Sequence, residues 1–171
     1  MKEHTIMIFP KFKNKQLIDE IRIKYDPLVK LVQPHVTLVF PFKSELTDEE
    51  ILRGICSSLD KVSKFKLTLK GIEKSSDSYG NYIFLKVKEG NDEIVNLHDR
   101  LYEGIFKKYK VDIPYVPHMT VGNLKTVKEM ELSYKELKNN NYQFETIVDT
   151  ISVEMIGENG ESIVNINYKL E

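Results

Sequence analysis

Two short motifs hold the residues of this chain best suited to chemistry: Pro34-His35-Val36-Thr37 and Pro117-His118-Met119-Thr120. In a strand, alternate side chains share a face, so His35 and Thr37 are predicted to point one way and Val36, Leu38 and Phe40 the other. His118 and Thr120 share a face likewise, opposite Met119 and Val121. Each strand therefore presents an imidazole beside a hydroxyl, backed by apolar packing. Imidazoles titrate near neutrality, so of two facing histidines one can take a proton while the other gives one. Phosphodiester cleavage needs both steps, because the attacking oxygen loses a proton and the leaving oxygen gains one. Threonine hydroxyls are suited to donate to the non-bridging phosphate oxygens, where transition-state charge gathers. Such chemistry requires no metal.

A lone histidine on a strand is ordinarily structural, and the repetition argues otherwise here. The chain has four histidines and 6 prolines. At that composition, two histidines carrying Pro-His-x-Thr by chance has odds of about 1 in 10⁵, which marks an internal repeat. His98, between Ile94 and Leu101 on a predicted helix, reads as a core or interface histidine, and His4 as solvated. A zinc site on His35 and His118 would need further ligands, and no His-Glu-x-x-His pattern supplies them. Cys56 is the only cysteine. It excludes an intrachain disulfide and a cysteine-rich zinc site, and its place among Ile51, Leu52 and Ile55 reads as a buried inert thiol. A glycine-rich phosphate loop and a Gly-x-Ser-x-Gly elbow are both missing. No cofactor is expected.

The elements that must hold these motifs follow from periodicity. Thr5 to Phe9 reads as a strand, and Asn14 to Tyr25 as a helix closed by Asp26-Pro27. The first motif strand, His35 to Phe40, is expected to close at Pro41. Thr47 and Glu50 form a capping box before a helix with Ile51, Leu52, Ile55, Leu59 and Val62 on one face. Phe65, Leu67 and Leu69 alternate with polar residues, Ser75 to Asn81 is a turn, and Tyr82 to Val87 returns. Ile94, Leu97, Leu101 and Ile105 give a helix ending near Lys108-Tyr109, and the second motif strand follows. Thr126 and Glu129 cap a last helix. One long bent strand from Phe144 to Gly157, a turn at Glu158-Asn159-Gly160 and a strand from Ser162 to Leu170 complete the prediction. Helix plus motif strand thus occurs twice.

Length and composition fit one soluble domain over residues 1–171, with motifs at 34–40 and 117–123. The 171 residues are 41% hydrophobic and 30% charged, with 25 basic against 26 acidic side chains. That excludes disordered and fibrous classes and leaves no bulk attraction for DNA or anionic membranes. The first ten residues hold four apolar residues in a row, too few for a signal-peptide core or a membrane span. A cytoplasmic monomer is expected.

The two His-x-Thr motifs, one per half, resemble those of the 2H phosphoesterase superfamily, which includes the bacterial 2′-5′ RNA ligases. Tyr25-Asp26-Pro27 through Pro34-His35-Val36-Thr37-Leu38-Val39-Phe40-Pro41-Phe42 is similar to its small single-domain bacterial branch. The resemblance implies an α+β fold that is bilobal, two pseudo-symmetric α/β lobes whose antiparallel sheets form a concave central cleft. It also implies metal-independent cleavage of 2′,3′-cyclic or 2′-5′ nucleotide or RNA phosphodiesters, with RNA ligation as the reverse reaction. By position, His35 and His118 would be catalytic, with Thr37 and Thr120 holding the phosphate. A small nucleotide or RNA end is then the expected partner. Asn123 departs from the pattern, standing where many relatives have a basic residue; Lys43 is a candidate substitute. Phe9, Tyr82, Phe84 and Tyr115 are candidates for stacking on a base. The alternative is a protein of the same fold that binds RNA ends or nucleotides without turnover.

Overall fold

The computed structural model describes residues 2–171. Its elements are β1 (Lys2–Ile8), α1 (Lys15–Tyr25), β2 (Val36–Ser44), α2 (Asp48–Ser58), β3 (Phe65–Ser76) and β4 (Asn81–Glu89). They continue as α3 (Asn91–Glu103), a 3₁₀ turn (Lys107–Tyr109), β5 (His118–Leu124), α4 (Val127–Leu137), β6 (Gln143–Val148), β7 (Thr150–Ile156) and β8 (Ser162–Lys169). The strands form two antiparallel four-stranded sheets, ordered β2-β1-β7-β8 and β5-β4-β3-β6. The orders correspond position by position, so the α+β fold is bilobal and pseudo-symmetric about a concave cleft. Each motif strand lies at a sheet edge, and the two edges, β2 and β5, meet.

The helices cross between the halves. α1 links β1 to β2 yet packs on β5, while α3 links β4 to β5 yet packs on β2. α2 lies on β8, and α4 covers β3, β4 and β5. Local signals set their ends: α1 stops at Asp26, because Pro27 disfavours a helical residue before it. Both predicted capping boxes form, Thr47 with Glu50 and Thr126 with Glu129. Each such cap contributes about 0.5–2 kcal/mol. The apolar faces of these helices, among them Ile18, Ile55, Leu97 and Met130, close over Val36, Leu38, Leu69, Ile83, Met119 and Val121 in a continuous core.

Several expectations are corrected. Pro41 does not end β2, which runs on to Ser44. A proline with no N–H is tolerated there because β2 is an edge strand with an irregular register opposite His4 and Ile6. The long strand 144–157 is two, β6 and β7, in different sheets, with Asp149 at the switch. α3 stops at Glu103, and Ile105 beyond it is exposed. Cys56 is exposed, on the outer side of α2 together with Leu52. His4 is fully buried, because β1 is an inner strand and the imidazole lies against Phe42 at 5.8 Å. Neither of its ring nitrogens has a hydrogen-bond partner.

Candidate active site

Each motif begins where a loop delivers its histidine to the edge strand. His35 precedes β2 directly, and its Nδ1 lies 2.8 Å from the carbonyl of Gln33. His118 opens β5, with Nδ1 2.7 Å from the carbonyl of Val116. A carbonyl only accepts, so Nδ1 carries the proton in both rings, and Nε2 keeps its lone pair when the ring is neutral. Neither Nε2 has a partner among the described residues, and both side chains are half-buried. Burial holds both imidazoles below their ordinary pKa, partly offset in each by the accepting carbonyl. For His35, the charges of Arg22 and His118 lower it further and Asp26 opposes them. His35 is therefore near enough to His118 to feel its charge.

Bulges re-aim both strands immediately after the threonine. On β2 the ladder pairs Thr37 with Met7 and then Val39 with Ile6, leaving Leu38 extra. On β5 it pairs Thr120 with Phe84 and then Gly122 with Ile83, leaving Val121 extra. The pair after each threonine, Leu38-Val39 and Val121-Gly122, is buried as a unit. The alternation thus slips by one residue. Phe40 in consequence leaves the core face expected for it and meets Tyr115 edge-on, with centroids 6.4 Å apart. Thr37 and Thr120 stay half-buried, and among the described residues neither hydroxyl has a partner.

The edge of β2 is capped by side chains. The Tyr115 hydroxyl donates to the Thr37 carbonyl at 2.7 Å. His98 Nδ1 meets the carbonyl of the bulged Leu38 at 2.7 Å, and the Tyr102 hydroxyl accepts from Phe40 N–H at 3.1 Å. His98 and Tyr115 stack in parallel at 3.6 Å. His98 is thus the buried histidine expected, and its bonding partner is the backbone that the bulge sets free.

The loop before His35 is fixed by a buried ion pair. Arg22 Nε donates to Asp26 Oδ2 at 2.8 Å, its Nη1 reaches the Val32 carbonyl at 2.9 Å, and Asp26 Oδ1 accepts from Leu28 N–H at 2.9 Å. Both side chains are within 5% of full burial. The sequence does carry this pair, as opposite charges four apart at the end of a helix.

The remaining candidates separate. On β4, Tyr82 and Phe84 stack at 5.8 Å, and Phe84 lies 3.9 Å from the His118 ring, so an aromatic row flanks the second motif. Asn123 pairs with Tyr82 across the ladder, on the face of Thr120. Phe9 meets the edge of His35 at 6.1 Å. Tyr115 is held against His98, so that face of its ring is closed to a ligand. Lys43 is not brought to the motif: it pairs with Glu3, six residues along β2 from Thr37, or about 20 Å. Among the described residues, no three His, Cys, Asp or Glu side chains are grouped to hold a metal ion. No described helix is long and apolar enough to cross a membrane.

Comparison with known proteins places the chain in a family and a fold. The chain is 32% identical over 162 residues to a protein of Geobacillus kaustophilus named "Putative phosphoesterase", covering 92% of this chain and 90% of that one. A protein of the same name from Halalkalibacterium halodurans is 28% identical over 171 residues, covering 98% and 96%. Among solved structures, E. coli LigT complexed with 3′-AMP shares the fold with a TM-score of 0.64 at 12% identity, covering 99% and 98%. TT0787 of Thermus thermophilus does so at 0.66 and 17%, covering 98% and 97%. The family description "2'-5' RNA ligase superfamily" matches residues 9–159, and the chain belongs to that superfamily, whose members are 2H phosphoesterases.

Proposed function

We propose that this protein cleaves a 2′,3′-cyclic or 2′-5′ nucleotide or RNA phosphodiester without a metal, with His35 and His118 as an acid–base pair in which one takes a proton and the other gives one. Thr37 and Thr120 hold the non-bridging oxygens in this reading, and the reverse reaction is RNA ligation. One observation carries it. Both imidazoles are held through Nδ1 by the carbonyl two residues earlier, and both leave Nε2 unengaged beside a free threonine hydroxyl on adjoining edge strands. Packing alone gives no reason for the same arrangement twice. Tyr82 and Phe84 provide a surface on which a base can stack beside His118. Burial keeps both rings neutral near pH 7, so each can start as a base. The one that serves as acid must gain its proton beside the anionic substrate.

The test is hydrolysis of a 2′,3′-cyclic mononucleotide and a 2′-5′ dinucleotide followed by phosphorus NMR, with and without EDTA. Turnover unchanged by the chelator is expected. His35→Ala and His118→Ala should each lower kcat by about 10²–10⁴-fold, and the double variant by much less than the product. Thr37→Val and Thr120→Val should each cost about 2–4 kcal/mol of transition-state stabilisation. Activity lost with EDTA and restored by a divalent ion, or additive histidine losses, would overturn the mechanism. Tight nucleotide binding with no turnover would instead identify a binding protein on this fold.

A further inference from the structure

A cavity of about 730 Å³ opens beside His35 and is built wholly from the half that carries β2. Phe9, which touches His35, and Gln33, whose carbonyl holds it, form the near wall. The far wall is β7 and β8, where the Ser152 hydroxyl donates to Asn167 Oδ1 at 2.7 Å. That leaves the Asn167 amide hydrogens as donors. The roof is the loop after α1, which the Arg22–Asp26 pair fixes and which a bond from Ser162 N–H to the Leu31 carbonyl at 2.8 Å ties to β8. The volume lies within the range of small-ligand sites.

Its charge is basic. Lys11 and Lys30 line it, both exposed and neither in an ion pair among the described residues. Lys169 also lines it but is paired with Asp149 at 3.1 Å. The single acid in the wall, Glu161, accepts from Asn159 N–H at 2.9 Å. The chain is nearly neutral overall, so two lysines without an ion pair around one cavity next to a candidate catalytic histidine give this wall a local positive charge, which Asp149 offsets in part at Lys11. The aromatic row of Tyr82 and Phe84 lies beside the other histidine and contributes nothing to this cavity.

We propose that the cavity receives the alcohol half of the phosphodiester and that this half bears a phosphate of its own, so the substrate is an oligonucleotide end rather than a mononucleotide ester. The proposal rests on the phosphodiesterase reading above and gives the two histidines distinct sides. In cleavage, the ribose hydroxyl oxygen forms the new bond to phosphorus while Nε2 of His118 takes its proton. The bond from phosphorus to the alcohol oxygen breaks, its electron pair stays on that oxygen, and protonated His35 gives it the Nε2 proton. The alcohol leaves through the lysine cavity, with its second phosphate between Lys11 and Lys30.

The test uses calorimetric titration with two 2′-5′-linked dinucleotides that carry hydrogen in place of the attacking 3′-hydroxyl. One ends in a free hydroxyl on the alcohol-side nucleoside and the other in a phosphate there. The parent should bind the phosphate-terminated analogue about tenfold more tightly at low salt. In Lys11→Gln/Lys30→Gln the ratio of the two Kd values should fall to near one, while Lys13→Gln/Lys43→Gln keeps the parent's ratio. Equal binding of both analogues by the parent, or a preference that survives in the Lys11/Lys30 variant, overturns the proposal. If the preference is present but the matching ribonucleotides are not cleaved, the phosphodiesterase reading fails and the anion site stands. For the side assignment, an aryl phosphodiester with a good leaving group should restore turnover to His35→Ala and leave His118→Ala inactive. The reverse pattern would place the alcohol on the His118 side and overturn the assignment.

Discussion

Removing one partner of the Arg22–Asp26 pair tests both the packing and the electrostatics of the first motif. Asp26→Asn keeps an acceptor for Leu28 N–H but leaves the Arg22 guanidinium buried without its counter-charge. Breaking a buried pair in this way costs about 3–5 kcal/mol. For a chain of this size each kcal/mol lowers Tm by about 2–4 °C, so a fall of roughly 6–20 °C is expected. Arg22→Met leaves the Asp26 carboxylate and the Val32 carbonyl without their donors, and should be similarly costly. The double variant buries no lone charge, so its loss should fall short of the sum by about 0.5–3 kcal/mol.

The same cycle has an electrostatic readout at His35. Arg22 pushes the His35 pKa down and Asp26 pushes it up. Asp26→Asn should therefore lower the His35 pKa further, and Arg22→Met should raise it, each followed by NMR titration of the ring proton. Additive stability losses, an Asp26→Asn variant as stable as the parent, or pKa changes of the same sign would refute the assignment of this pair as the fixed support of His35.

Three further outcomes are expected. Tyr115→Phe leaves the half-buried Thr37 carbonyl without its donor and should cost about 1–3 kcal/mol in urea unfolding, together with a fall in kcat; unchanged stability would show that the bond does no structural work. Gly122→Ala would place a methyl 3.2 Å from Tyr25 Cβ and 3.3 Å from Ile83 Cβ, where α1 lies on the bulge of β5, so a loss of about 1–3 kcal/mol is expected and a neutral result would mean that this contact gives way freely. Burial holds His4, His35, His98 and His118 all below their unfolded pKa, so their contribution to stability is full above about pH 6.5 and is lost as pH falls through that value; urea midpoints at pH 7.5 and 5.5 should show this drop, and His4→Leu should make it smaller.

The sequence is most legible where one side chain dictates local geometry. Proline after Asp26, the two Thr-x-x-Glu caps and the apolar alternation of Phe65, Leu67 and Leu69 place elements correctly because each acts within a few residues. The motif pairs His35/Thr37 and His118/Thr120 are visible through repetition. What the sequence hides depends on neighbours distant along the chain. Residues 144–157 look continuous because nothing local at Asp149 announces a change of sheet. His4 looks solvated until β1 is known to lie between β2 and β7. Lys43 looks close to the first motif because the strand is expected to close at Pro41, yet β2 runs on to Ser44 and carries Lys43 away from Thr37. The bulge at Leu38 has no glycine or proline of its own, and at Val121 the neighbouring Gly122 is a single local cue, so register discloses both.

The crossed helices explain why the chain keeps two motifs on exposed edges without leaving those edges sticky. An edge strand presents unpaired N–H and C=O groups, and each bulge frees another carbonyl. Here α3 and the segment after it, from the second half of the chain, bring His98, Tyr102 and Tyr115 to satisfy Leu38, Phe40 and Thr37 of the first motif strand. In return α1, from the first half, lies on β5, with Tyr25 packed at Gly122. Each half therefore completes the strand on which the other presents its histidine. A shift in either helix must reach the opposite motif, because α3 carries His98 and Tyr102, which bond the backbone of β2, and α1 packs directly on β5. In the reading proposed above, two imidazoles acting on one phosphate need a fixed separation, and an exchange of supports between the halves ties the position of each motif strand to the other half.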